Sequence, residues 1–385
     1  MESSAVWIVA ACRTPQGRFL GGLASWSAAQ LGVAAARAAM ERAGVAPDAI
    51  EQVIIGNVLA AGAGQNIARQ VALGAGVPEV APAFTVNMMC ASGLQAVALA
   101  ARAIAAGEAD AVLCGGAESM SNAPHLLERS RAGIKLGNGT LVDSLLRDGL
   151  VDAFSGKHMG ECVEALARAR NINRARQDAF ALLSQQQAAN GREFLAAEIV
   201  PVGKVTADEH PRADTTLESL AALKPAFDAQ GSVTAGNASG INDGASMLVL
   251  ASAETARRRG WKPLARWAGA KSAGCAPEAF ALGPVAATRA LCRHVGCDVS
   301  GFDAVELNEA FAAQALACID DLGLDPARVN THGGAIALGH PIGASGARLA
   351  VHLAHRIAAG RARRALATLC VGGGMGIAAM LEACA

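Results

Sequence analysis

Two stretches of this chain repeat each other. Ala91-Ser92-Gly93 opens a segment that closes at Ile104-Ala-Ala-Gly107, and Ala344-Ser345-Gly346 opens one that closes at Ile357-Ala-Ala-Gly360. Eight of the seventeen aligned positions are identical at a constant offset of 253. Each copy then runs into a strand-like segment ending in cysteine and glycines, Leu113-Cys-Gly-Gly116 and Leu369-Cys-Val-Gly-Gly373. Alanine-rich helices coincide by chance, but shared caps and a shared following strand point to duplication. Two related halves are therefore expected to pack about a pseudo-twofold axis. Each would bury a helix beginning at Ala-Ser-Gly.

Composition supports a packed α/β protein. Of 385 residues, 52% are hydrophobic and 17% charged, with 43 glycines and 13 prolines. This excludes a disordered chain, a coiled coil and a collagen-like repeat. With 33 basic and 33 acidic side chains, no global field exists to collect nucleic acid or an anionic membrane. No apolar run reaches membrane-spanning length and the N-terminal residues lack a basic leader, so the expected location is the cytoplasm. Ten cysteines carry no Cys-x-x-Cys pair. Cys292-x-His294-x-x-Cys297 is the only metal-like cluster, and without a second ligand pair it reads as no zinc site.

Short apolar runs bounded by turn residues predict strands at Val6–Ala11, Val53–Gly56, Ala109–Cys114, Met247–Ala251, Phe302–Leu307, Ala365–Cys370 and Ile377–Leu381. Helical spacing occupies Ala28–Ala43, Gly93–Ala106, Asn173–Asn190 and Gly346–Ala359. The alternation predicts α/β layers with largely parallel sheets. Residues 120–240, with dense charge at Glu128-Arg-Ser-Arg131 and Asp208-Glu-His-Pro-Arg212, fit neither half and read as an inserted loop or lid domain. The halves are then 1–119 with about 241–263, and 264–385.

Three glycine-framed positions could carry chemistry. Cys90, in Asn87-Met-Met-Cys-Ala-Ser-Gly93, lies at a strand-to-helix turn where a helix N-terminus is expected to lower a thiol's pKa. His340 lies among five glycines and a proline just before the second repeated helix, and a twofold would bring it towards Cys90. A neutral imidazole within reach of a thiol activates it as a nucleophile. Cys370 precedes Val371-Gly-Gly-Gly-Met-Gly376, whose backbone N–H groups could approach a ligand oxygen; a thiol with pKa near ~8.5 could move a proton there. Asn308-Glu-Ala-Phe311 ends a predicted strand, where α/β folds place ligand-binding groups. The glycine run is neither a Walker loop nor a dinucleotide fingerprint.

Together these motifs resemble the thiolase family, essentially end to end. Asn87-Met-Met-Cys-Ala-Ser-Gly93 resembles its nucleophile motif. Asn308-Glu-Ala-Phe, Gly339-His-Pro-Ile-Gly-Ala-Ser-Gly and Cys370-Val-Gly-Gly-Gly-Met-Gly resemble its three C-terminal motifs. Asp208-Glu-His-Pro-Arg and Val233-Thr-Ala-Gly-Asn-Ala-Ser-Gly-Ile-Asn-Asp-Gly resemble its coenzyme A loop and the following segment. The resemblance implies the thiolase fold: two duplicated, layered α/β/α/β/α halves, each with a five-stranded sheet, plus a loop domain, usually assembled as a homotetramer. It implies no metal and no prosthetic group, with coenzyme A as substrate.

By the same resemblance, Cys90 would take up an acyl group, His340 would activate it, and Cys370 would move the α-proton of the second substrate. Asn308 would hold a water in one oxyanion hole, and the N–H groups of Cys90 and Gly372 would form the other. Coenzyme A would meet Arg212, Ser219, Ser239 and His158, with Met159, Leu150, Phe227, Ala310 and Phe311 lining the channel. Arg212 also suits this alone, since a guanidinium stacks on adenine or pairs with phosphate. Lys157-His-Met-Gly160 is most similar to the short-chain branch, which joins two acetyl-CoA molecules to acetoacetyl-CoA and CoA. Ser155 and Lys157 stand where that branch carries aromatics, Phe280 where methionine is common, and Ala286 where proline is. The first two sit beside the acyl channel, leaving acyl length open. A broader 3-ketoacyl-CoA thiolase of fatty-acid breakdown is the nearest alternative, and a non-catalytic CoA-binding protein a remote one.

Overall fold

The computed structural model describes residues 5–384. The first stretch holds β1 (Val6–Arg13), β2 (Gly17–Arg18), α1 (Ala28–Ala43), β3 (Gln52–Gly56), α2 (Ile67–Gly74), β4 (Ala83–Val86), α3 (Ser92–Ala105) and β5 (Ala111–Ser119). An intervening region carries a small β6–β7 hairpin (His125–Leu127, Leu141–Asp143) and helices α4 (Met159–Ala169), α5 (Arg174–Asn190), α6 (Arg192–Ala196) and α7 (Leu217–Ala221). The chain then returns through β8 (Asn242–Ser252) and α8 (Ala253–Arg259). It continues with β9 (Ala265–Gly274), α9 (Gly283–Val295), β10 (Ala304–Leu307), α10 (Ala312–Leu322), α11 (Ala335–Leu338), α12 (Ile342–Ala358), β11 (Arg364–Val371) and β12 (Met375–Glu382).

Ten strands form one sheet, ordered β10-β11-β12-β9-β1-β8-β5-β3-β4, with β2 added on β8. The two half-sheets join along a short antiparallel seam where Val6, Trp7 and Ile8 pair with Trp267, Arg266 and Ala265. The sheet is mixed rather than largely parallel. Parallel pairing occurs at β3–β4, β3–β5 and β10–β11, where a helix carries the chain across. The pairs β1–β8, β5–β8, β11–β12, β12–β9 and β1–β9 are antiparallel. By position β4 would have a fifth-strand counterpart in the second half; among the described residues only an isolated parallel bridge, Val305 to Val329, is found there.

Helices α3 and α12 pack against each other and against strands of the sheet, while α1 covers β1, β5 and β8, and α9 covers β9, β11 and β12. Leu94, Val97 and Ala101 of α3 and Leu349, Val351 and Leu353 of α12 are buried. A helix apolar on all sides belongs inside a layered core. The crossing is pinned by glycine. A Cβ at Gly93 would lie 2.8 Å from Ala347 N, and one at Gly346 would lie 2.7 Å from Leu94 N. At the offset of 253, Ala347 is the counterpart of Leu94. These are therefore one contact seen from each half, as a twofold relation requires. α12 begins at Ile342, a turn earlier than Gly346, because Pro341 serves as its N-cap residue and Gly343 fits against Glu118 and Asn57.

Candidate active site

A cavity of about 440 Å³ opens between the halves and gathers Cys90, His340, Cys370 and Gly372. Cys90 stands on the turn between β4 and α3. Its predecessor Met89 has φ +48, a left-handed conformation costing about 1–3 kcal/mol in a side-chain-bearing residue. Local bonds hold that turn: Met89 N donates to Asn87 Oδ1 at 3.0 Å, and Ser92 Oγ donates to Met89 O at 2.7 Å while accepting from Met88 N at 2.9 Å. His340 lies between α11 and α12, after Gly339 at φ +103, and its N–H donates to Asn242 Oδ1 at 2.9 Å. Cys370 is the penultimate residue of β11, and Gly372 starts the turn into β12.

The second copy of Ala-Ser-Gly orients the histidine. Ser345 Oγ donates its only proton to Pro341 O at 2.8 Å, so at 2.6 Å from His340 Nδ1 it can only accept. The imidazole proton therefore sits on Nδ1. Nε2 is left as a buried lone pair with no partner among the described residues. Glu118, fully buried, ties the two halves together beneath this site. Its carboxylate accepts from Asn57 Nδ2, Val58 N and Leu59 N of the first half, and from Gly343 N in the first turn of α12.

The intervening region and the start of α10 complete the walls. His158, Met159, Leu150, Arg212, Phe227, Ser239, Ala310 and Phe311 all line the cavity. His158 caps α4, its Nδ1 accepting from Gly160 N at 3.0 Å, and its ring stacks on Phe227 with centroids 4.5 Å apart. Ser219 is not in this wall; it sits on α7, where its Oγ closes a capping box with Thr216. Asn308 is buried at the end of β10, outside the wall, with its N–H donating to Thr368 O at 3.0 Å. Among the described residues, neither Nδ2 nor Oδ1 of its amide meets a partner. Sequence reading missed Ser345, Asn242 and Glu118, and also His210 and Ile342 in the wall. For Ser345 the repeat itself was the available signal, since its counterpart Ser92 also bonds back to a nearby carbonyl, three residues earlier where Ser345 reaches four.

Residues 6–254 match the thiolase N-terminal domain and residues 261–383 the thiolase C-terminal domain. The chain belongs to the thiolase family. It is 50% identical to an acetyl-CoA acetyltransferase of Chromobacterium violaceum over 98% of this chain and 99% of that one. Among solved structures, the Bacillus anthracis acetyl-CoA acetyltransferase superposes with a TM-score of 0.96 at 41% identity, covering 99% of each chain. Human mitochondrial 3-ketoacyl-CoA thiolase in complex with CoA superposes with a TM-score of 0.96 at 40% identity, over 99% of this chain and 98% of that one. The thiolase fold expected from the motifs is the fold observed.

Electrostatics in this thiolase differ from the expectation of a standing thiolate at a helix N-terminus. Burial pushes the Cys90 thiol up to about 11, outweighing the backbone N–H groups of Gly372 and Cys90 that favour its anion. Dipole effects at a helix end are worth about 0.3–2 kcal/mol, less than losing water around a thiolate in a closed site. Cys370 is raised well above an ordinary thiol by burial, then by the neighbouring Cys90 sulfur, so it is no free base near pH 8.5. His340 is lowered to about 4, chiefly by burial and then by Arg348, and stays neutral at physiological pH. The site thus brings a neutral thiol and a neutral imidazole into one cavity. Charge can form there only by proton transfer within the pair or by stabilisation on a bound substrate.

Proposed function

We propose that this thiolase is an acetyl-CoA C-acetyltransferase, condensing two acetyl-CoA molecules to acetoacetyl-CoA and CoA and running the reverse thiolysis. The observation that carries the reading is the meeting of Cys90, His340 and Cys370, drawn from both halves, in one cavity. His340 Nε2 takes the Cys90 proton as the sulfur attacks the acetyl carbonyl, whose oxygen is held by the N–H groups of Cys90 and Gly372. Each such donor contributes about 3–4 kcal/mol when pre-aligned. The departing CoA thiolate takes its proton from Cys370. The resulting Cys370 thiolate is a strong base because it is buried, and it removes the α-proton of the second acetyl-CoA. That enolate is held by His340 and by a water on the Asn308 amide. It attacks acetyl-Cys90, and His340 returns the proton to the released sulfur. Two displacements on one enzyme predict ping-pong kinetics.

In this reading Arg212, Ser239 and His158 bind coenzyme A, while Met159, Leu150, Phe227, Ala310 and Phe311 enclose its pantetheine arm and the acyl group. Ser219, on α7 and outside the cavity wall, would meet only the nucleotide end. Residues 1–119 with about 241–263 form one half, 120–240 the lid, and 264–385 the other half. No metal or prosthetic group takes part. The assembly is a homotetramer in the cytoplasm serving fatty-acid metabolism. Exposed Leu127, Ile134, Leu136 and Leu141 around the β6–β7 hairpin support self-association.

Mass spectrometry after incubation with acetyl-CoA tests the chemistry: one acetyl group is expected on Cys90, and an unmodified Cys90 supports a non-catalytic CoA-binding protein instead. Cys370→Ala should block condensation yet leave some Cys90 acetylation, slowed because water must then protonate the departing CoA; complete loss of both would refute their separate roles. The likeness to 3-ketoacyl-CoA thiolase favours one second reading, a broader chain length. Thiolysis rates across a series of ketoacyl-CoA lengths decide it, a preference for eight or more carbons overturning the short-chain assignment.

A further inference from the structure

Helix α9 ends in a glycine cap. Gly296 has φ +69 and its N–H donates to Cys292 O at 2.9 Å, while the next N–H, of Cys297, donates to the same carbonyl at 3.1 Å. A bond of that second kind turns the residue after the glycine back onto the last helical turn, where an apolar contact commonly sits. Here both residues brought together are cysteines, and each sulfur lies in the field of the other. Cys292 is buried and Cys297 half-buried, and both line a surface recess of about 480 Å³ with Arg289 and Arg293. His294, between them in sequence, lines a different cavity with Arg266 and Lys271. Among the described residues no three His, Cys, Asp or Glu side chains gather to hold a metal. The pair stands as a dithiol, remote in sequence from Cys90 and Cys370 and outside their cavity.

We propose that Cys292 and Cys297 form a reversible dithiol–disulfide site that exchanges with small anionic disulfides of the glutathione class. The more exposed Cys297 attacks as its thiolate on one sulfur of oxidised glutathione, and the expelled glutathione thiolate takes up the proton Cys297 gave. Cys292 then loses its proton and attacks the Cys297 sulfur of the mixed disulfide, expelling the second glutathione, which takes that proton. Two protein thiols are oxidised and one small disulfide is reduced. The bond from Cys297 N–H to Cys292 O at 3.1 Å brings the two backbones together, as a disulfide requires. Arg289 and Arg293 present cations to the carboxylates of the incoming disulfide. Burial pushes the Cys292 thiol up to about 12, so Cys297 makes the first attack and the resolving step, which needs the Cys292 thiolate, is the slower of the two. None of this depends on the acyl-transfer reading.

The whole chain, incubated with excess oxidised glutathione, alkylated and digested with trypsin, tests the proposal. Cleavage after Arg293 separates the two cysteines, so oxidation should link the peptide ending at Arg293 to the one beginning at His294, and dithiothreitol should release them. Fragmentation must place the bond on Cys297 rather than on Cys318 in the same peptide. Cys292→Ser should leave glutathione stalled on Cys297, and Cys297→Ser should abolish the link. A persistent glutathione adduct on Cys297 of the unsubstituted chain, a bond to Cys318, or no reaction at either sulfur would overturn it.

Discussion

Ser345→Ala removes the acceptor that keeps the His340 proton on Nδ1, so the imidazole can adopt the tautomer whose Nε2 carries a hydrogen and cannot act as a base. Groups that orient a reacting residue from behind are worth about 10–100-fold. We expect kcat to fall by about that factor with KM nearly unchanged, and Ser345→Thr to recover most of the loss; a KM effect alone would mean that Ser345 only shapes the pocket. The same pair makes a pH prediction. His340 is neutral above about 4 and Cys90 protonated below about 11, so between roughly pH 5 and 10 the pair keeps one protonation state. Iodoacetamide alkylation of Cys90, which proceeds through the thiolate and is followed by peptide mass mapping, should keep rising about tenfold per pH unit across that window, whereas a rise that levels off above ~8.5 would reveal an ordinary free thiol. Cys90, His340 and Cys370 were legible as candidates because glycine frames each of them. The direction of the Cys90 shift was not, since the local helix end argues one way and burial by distant residues argues the other.

At the scale of elements, the α3–α12 crossing is the most sensitive feature. A methyl at Gly93 would meet the backbone of Ala347 and Gly343 within 3.0 Å, and one at Gly346 would meet Leu94 N at 2.7 Å. Backbone cannot rotate away as a side chain can, so Gly93→Ala and Gly346→Ala should each cost about 1–3 kcal/mol, read as a lower urea midpoint at constant m. The repeat foretold this pair of helices and the strands that follow them. It did not foretell β4 or β9. Ala83–Val86 is short and half-buried, and Ala265–Gly274 carries small and polar residues in place of a β-branched run. Those strands form because neighbours supply their hydrogen bonds: β9 closes the seam to β1 and the ladder to β12.

Across the whole molecule, a buried ionic network ties β1 to the intervening region and to α12. Arg13 bonds Glu198 at 2.9 Å and Asp208 at 2.7 Å, while Glu198 also pairs with His352, and Arg348 reaches Glu306 at 3.4 Å. Burial pushes the Glu198 carboxyl up, but His352 and Arg13 outweigh it and hold it well below the usual carboxylate range. Glu198→Gln leaves Arg13 and His352 short of a buried partner and should cost about 3–5 kcal/mol at pH 7. A depressed carboxylate stabilises the fold above its unfolded pKa, and that contribution fades as pH falls through about 4.3 and below. The gap between wild type and Glu198→Gln in denaturant midpoint should therefore narrow on acidification; a constant gap would show that packing, not charge, is lost. Sequence alone determined the duplication, the two buried helices, most strands and the glycine-framed motifs, because each is written in contiguous residues with a fixed period or spacing. The antiparallel majority in the sheet, the neutral state of Cys90, the tautomer of His340 and the role of Glu118 were decided only in three dimensions. Each depends on which groups far apart along the chain exclude water from one another, and burial and Coulomb energy follow distance in space rather than separation in sequence.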